Sequence, residues 1–241
     1  LIISLKKTTA EFSKKPFNFV WPAIVYLALQ TLVVFAVLGL FIIYFLMASV
    51  LNISTGIDEI QTLIAIGAAL VVFLFLTGGL NAGLAKGFSN ALEGNKISLA
   101  DFYRHSMERS ATMFAIMLIR DLIYILVVGW AIGAFIYFEL DQYEFVDLIT
   151  GAYVFFATFF VHFLFTPALV SAGAMSTGLF RSMRNGFQLL RKKHIMALGL
   201  FILFSFVWIF NFIPIIQLIA FFALYPIVYT AFIVMLKDNI R

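Results

Sequence analysis

Two adjacent charges, Arg120 and Asp121, interrupt an otherwise apolar run that extends from residue 111 to residue 137. An ionisable side chain inside such a run costs about 2.5 to 3.5 kcal/mol on insertion scales and by default marks a substrate or proton site. Counted from Arg109, Arg120 falls about 16 Å along a helix, near the middle of a bilayer. Neighbours at i and i+1 project about 100° apart. Each charge is therefore expected to find its partner on another span, with His162, Asn211, Gln217 and Gln30 as candidates. A structural clamp between helices is the competing reading. His162 lies midway along a second run, among Phe159, Phe160, Phe163 and Phe165. A hydrogen bond between helices explains it most simply, and a titrating ring there could couple proton movement to Asp121.

Outside these runs, Asp101, His105 and Glu108 are spaced four and then three apart, which puts them on one helical face. Oxygen and imidazole ligands could hold a divalent ion, yet Arg104 and Arg109 crowd that face and no fourth ligand is indicated. A solvated helix is the expectation, with no metal and no cofactor. Arg181, Arg184, Arg191, Lys192 and Lys193, followed by His194, form the densest cationic stretch. Guanidinium groups sharing a face could grip one phosphate, of a lipid head group or a metabolite. Membrane topology alone would also place cations there.

Glycines recur at four-residue spacing as Gly79, Gly83 and Gly87, and again as Gly129 and Gly133. In lipid, helices pack by close backbone approach at small residues, so both sets are expected at helix contacts. A substrate path along Gly78, Thr77 and Asn81 is the alternative. Positive signs of catalysis are missing. The chain has no Cys, no glycine-rich phosphate loop, no paired His on one helix face and no Ser framed by glycines. No catalytic residue is assigned.

The elements that must carry these residues follow from composition. At 63% hydrophobic and 12% charged, the chain has about half the charge of a soluble domain, as a polytopic membrane protein should. Six runs meet the requirement of about 20 apolar residues per span, near 22–50, 60–82, 111–137, 148–171, 195–212 and 215–236. The last two form one run that must fold back, and Asn211 with Pro214 marks the place. All 16 Lys and Arg residues but Arg120 fall at one set of alternate gaps, whereas Asp58, Glu59, Glu139, Asp141, Glu144 and Asp147 fall at the other. Because cytoplasmic loops accumulate Lys and Arg, the basic gaps are expected in the cytoplasm, with both termini inside and the chain in the cell membrane.

The basic face should attract anionic head groups, and topology explains its cations without nucleic acid. Residues 1–19 mix Ile2, Ile3, Leu5, Phe12, Phe17 and Phe19 with four Lys, which predicts an amphipathic segment on the inner surface. Trp21 and Tyr26 suit the inner boundary; Tyr44, Tyr137, Tyr143 and Tyr153 suit the outer one. The first run is too long for a signal peptide and is expected to be retained, while Leu1 in place of Met raises the expectation of residues trimmed ahead of it. Spans two and three share a plan with spans four and five, down through small residues (Ala168, Ala172 and Ser176 in the second pair), across a basic segment, and back. That is the pattern of a parallel duplication.

The stretch from Gly79 through Asn90, Ala91 and Gly94 to Ser98 and Phe102, with Thr166, Pro167, Ala168, Leu169, Ser182, Leu190 and Arg191, resembles a group of six-span proteins from archaea and bacteria. That group is similar to the membrane domain attached to some glycerophosphoryl diester phosphodiesterases. The resemblance implies an all-α fold of one domain over residues 1–241. It implies no chemistry, since catalysis in those enzymes belongs to a separate soluble domain. The leading expectation is a non-enzymatic module that moves or senses a small solute or lipid through Arg120, Asp121 and His162. The alternatives are a scaffold that docks other membrane proteins or copies of itself, and a phospholipid-processing enzyme at the inner interface acting through His105 or the 181–193 segment.

Overall fold

The computed structural model describes residues 2–50, 59–137, 144–210 and 220–240, and helix is the only regular structure among them. The helices are α1 (Ile2–Lys14), α2 (Pro16–Val50), α3 (Glu59–Leu92), α4 (Leu99–Tyr137), α5 (Glu144–Ala174), α6 (Leu179–Phe210) and α7 (Tyr225–Ile240). A single π-helical turn, Ala220–Leu224, leads into α7. Five stretches, Pro16–Ile43, Ile64–Leu92, Leu99–Tyr137, Leu148–Ala174 and Phe221–Asn239, are long and apolar enough to cross a membrane. The span expected at 195–212 is not among them. Lys192, Lys193 and His194 interrupt α6, and its described apolar part stops at Phe210. The reversal expected at Asn211 and Pro214, together with Asp58, Glu139, Asp141 and Tyr143, lies outside the described residues.

Local chemistry sets the helix ends. Ser98 Oγ accepts from the Asp101 amide at 3.0 Å and donates to the Asp101 carboxylate at 2.7 Å, a reciprocal cap that starts α4. Ahead of it, Gly94 takes a φ of +78°, and the amides of Gly94 and Asn95 donate back to Ala91 and Asn90 at 3.0 and 2.9 Å. This is the turn that a glycine after a helix permits. Past α5, Ser176 holds a left-handed φ of 55°. A hydroxyl network supports it: Thr177 Oγ1 donates to the Ser171 carbonyl at 3.1 Å, and Asn185 Nδ2 donates to Ser171 Oγ at 3.0 Å. Within α6, Lys193 leaves helical geometry at φ −136° and ψ 37°, so the element is two helices joined at a kink.

Contacts fix the directions. Added Cβ atoms at Gly79 and Gly83 would strike Ser110, Ser106 and Phe102, so α3 and α4 run antiparallel. A Cβ added at Gly186 would lie 2.8 Å from the Ala168 backbone, while Phe201 meets Phe159 and Phe163 at ring separations of 4.9 and 5.5 Å, so α5 and α6 do the same. Lys237 bonds Glu93 at 2.9 Å, and α1 packs on α7. Both chain ends therefore lie at the same end of the bundle as the turns after α3 and α5, which is the end rich in Lys and Arg. There α1 presents Ser4, Leu5, Thr8 and Phe12 to the protein and leaves Ile2, Ile3, Lys6 and Lys7 exposed.

At this basic end α3 and α7 are buried almost all round. Phe88 is fully buried between Tyr225 and Tyr229, with ring centroids 6.2 and 5.5 Å away. Gly87 sits on Pro22 of α2 at 2.5 Å, and Gly173 of α5 sits on Ala85 of α3 at 2.6 Å, both measured to an added Cβ. Tyr26, expected at the lipid boundary, instead stacks inward on Phe221 at 6.5 Å. Trp21 ties α2 to the turn before α4 by donating from Nε1 to the Ile97 carbonyl at 3.1 Å.

Toward the other end, contacts thin out among the described residues. Gly129 meets only its own helix neighbour Ile125 at 3.8 Å, and Gly133 has nothing within 4 Å. Among the described residues they make no helix contact of the kind expected of them. The Gly79, Gly83 and Gly87 set makes several.

Candidate functional site

A helix of the length of α4, 39 residues, rises about 58 Å, nearly twice the roughly 30 Å of hydrocarbon in a bilayer. Its exposed face shows which part suits lipid. Asp101, Arg104, Met107 and Glu108 face out near its start, and from Leu118 onward the exposed side chains are all apolar: Leu122, Ile125, Leu126, Trp130, Ile132, Ile136 and Tyr137. Leu118 to Tyr137 rises about 29 Å, one hydrocarbon thickness. Taken as the lipid-facing surface, this stretch puts Arg120 about 3 Å inside the basic-end boundary, not near mid-membrane.

The ion pair also differs from expectation. Arg120 donates from both Nε and Nη2 to Asp121 Oδ1 at 2.7 Å each. The long, flexible stem of Arg spans the angle that separates neighbours on a helix, so the charges satisfy one another without a second span. Side-chain exposures of 16% and 30% keep the pair on the flank of the bundle, in partial contact with the surroundings. Of the expected partners, His162 lies within electrostatic reach of both charges without bonding either. Gln30 leaves its buried Oε1 unpaired, and Asn211 and Gln217 fall outside the described residues.

His162 connects this flank to a cleft in the bundle. Its ring meets Tyr124 of α4 edge-on at 6.4 Å, and it also lines a cleft of about 570 Å³ between α5 and α6. Phe155, Phe159, Phe201 and Phe204 form most of the wall, with Thr158, His162, Thr166 and Ser205 as its polar points. The volume is within the range of about 300 to 1,000 Å³ typical of small-molecule sites, and so is the pattern of an apolar wall with few polar groups. Thr158, His162 and Thr166 follow one another at four-residue spacing, so α5 carries a polar stripe down an apolar helix. That stripe was legible as a signal. The facing Ser205 and the Phe201 wall were not, because only the α5–α6 packing brings them opposite.

The remaining residues do not converge. His105 is buried, and its Nε2 donates to the Gly173 carbonyl of α5 at 3.0 Å, while Asp101 pairs with Arg104 at 2.7 Å. Among the described residues no group of three His, Asp or Glu side chains is placed to hold a metal ion. Arg181, Arg184, Arg191 and Lys192 are exposed, with no ion pair recorded among the described residues, and Lys193 is half-buried at the kink. Phe180 and Phe187 are exposed on the same helix as these cations. The chain matches no family model, no curated protein and no solved structure.

Proposed function

We propose that the chain is a six-span protein of the cell membrane, with its basic end and both termini in the cytoplasm, that moves or senses an amphiphile held between α5 and α6. The observation that carries the reading is the cleft: an apolar wall with His162 on it, close to a charged pair at the level where hydrocarbon gives way to head groups. An amphiphile divides in the same way, so its chain suits the phenylalanines and its polar end the His162 side. The exposed cations of the first half of α6, flanked by Phe180 and Phe187, suit an interface rich in anionic lipid. Kinship with the membrane domain of the phosphodiesterases would contribute a six-span fold and nothing more.

Filling the cleft tests the reading. Ser205→Trp should leave a folded protein that no longer carries the amphiphiles detected by native mass spectrometry on wild-type protein, and an unchanged set would overturn it. Neutralising Arg120 and Asp121 together should weaken the same retention while leaving the fold intact. Orientation has its own test, made simple by the absence of cysteine. A cysteine at Lys96 or Lys192 should resist an impermeant thiol reagent applied outside cells, and one at Glu144 should react.

A second reading rests on Gly129 and Gly133, whose bare face meets no other helix. Small residues left open in a lipid-facing helix suit close approach by another span, which favours assembly with another membrane protein or another copy. Gly129→Ile should then dissociate a complex isolated in mild detergent. A wild-type chain that runs only as a monomer would remove this reading.

A further inference from the structure

The polar points of the α5–α6 cleft share a property that narrows its ligand. Thr158 Oγ1 donates to the Val154 carbonyl at 2.7 Å, Thr166 Oγ1 to the His162 carbonyl at 2.8 Å, and Ser205 Oγ to the Phe201 carbonyl at 2.9 Å. Each hydroxyl has one hydrogen, and the shortest bond of each gives it to the helix that carries it; Thr158 Oγ1 also lies 3.4 Å from Tyr124 Oη, a longer contact in which the phenol can be the donor. His162 follows the same rule. Its Nδ1 lies 2.9 Å from the Thr158 carbonyl, and a carbonyl can only accept, so Nδ1 bears the hydrogen and the neutral ring keeps Nε2 as an acceptor. The oxygens retain lone pairs, and no Lys, Arg, Trp, Asn or Gln is among the described residues that line the cleft.

We infer that the cleft selects an apolar molecule bearing a hydrogen-bond donor, a long-chain or polycyclic alcohol in chemical class, over a phosphate or carboxylate lipid of the same chain. This rests on the proposed amphiphile site and adds the sign of its selectivity. An anion would bring more lone pairs to a wall whose described polar groups offer lone pairs, and it would surrender its hydration for little return. A hydroxyl instead gives its hydrogen to Nε2 or to a threonine oxygen. Arg120, within electrostatic reach of His162, is already engaged by Asp121, and Arg181, Arg184, Arg191 and Lys192 are exposed on the first half of α6.

The test compares radiolabelled hexadecanol, hexadecanoate and hexadecane on purified protein at about pH 9, where the carboxylate is ionised. Wild-type protein should hold the alcohol about tenfold more tightly than either of the others, the effect of one net hydrogen bond. His162→Phe should bring alcohol and alkane to parity. Thr166→Val, which removes an acceptor at nearly constant shape, should narrow the gap if the His162 variant fails to fold. Hexadecanoate binding as well as or better than the alcohol would overturn the inference. If Ser205→Trp abolishes binding but the three probes bind wild-type protein equally, the cleft stands and its selectivity falls. If Ser205→Trp changes nothing, the proposed function falls as well.

Discussion

The two ends of this bundle are built by different rules. At the basic end, helices meet through Gly79, Gly83, Gly87, Gly173 and Gly186, and hydroxyl networks and a buried aromatic cluster close the gaps. Toward the opposite end the described parts of these helices show apolar side chains outward, and among the described residues Gly129 and Gly133 touch nothing beyond their own helix. One end has an interior of its own; the other leaves its contacts to the surroundings. Hydrophobic burial in water drives association only where water is the alternative, and in lipid it does not. Along α4 the contrast sets in at Leu118, from which the exposed side chains are all apolar.

Substitutions can break or sharpen this contrast. The largest effect is expected from Phe88→Ala, which empties the fully buried site between Tyr225 and Tyr229 and should cost about 3 to 5 kcal/mol. Trp130→Ala, at a side chain 78% exposed, should change thermal stability in detergent by less than about 0.5 kcal/mol. Equal losses at the two positions would abolish the distinction. Next comes Gly83→Leu, whose side chain must displace Ser106 and Phe102, at about 1 to 3 kcal/mol or more. Gly133→Leu has open space and should leave the monomer's melting temperature unchanged. A similar drop at Gly133 would mean that its face is covered in the folded protein.

Smaller effects probe the polar links. Trp21→Phe deletes the bond to the Ile97 carbonyl that joins α2 to the turn before α4, and about 0.5 to 1.5 kcal/mol should be lost in chemical denaturation. Arg181→Gln with Arg184→Gln removes two exposed cations and should weaken attachment to anionic vesicles by about 1 kcal/mol per charge. The difference should vanish as salt rises. No change in stability is expected from that pair, and a large one would mean that these arginines hold the fold.

Much of this was legible beforehand. The cap at Ser98 and Asp101, the turn at Gly94 and the close packing of Gly79, Gly83 and Gly87 follow from residue type and spacing, because each is a local rule of the backbone. The α1 helix was legible as amphipathic, but not that its Leu5 and Phe12 turn toward the protein. The pairing of Arg120 with Asp121 was misjudged, since projection angles describe where side chains start and not how far an arginine reaches. Residues 111–117 read as membrane by composition, yet Met113, Ile116 and Met117 are apolar because they face other helices.

The sequence by itself determined an all-helical membrane chain with a basic and an acidic side, because hydropathy and charge are summed along a chain and need no partner. Only the tertiary structure decided that apolar residues at the basic end make a protein core, that His162 faces both a charged flank and a cleft, and that Ser205 and Phe201 stand across that cleft from it. Those facts depend on which side chain stands opposite which, and that is settled when helices pack.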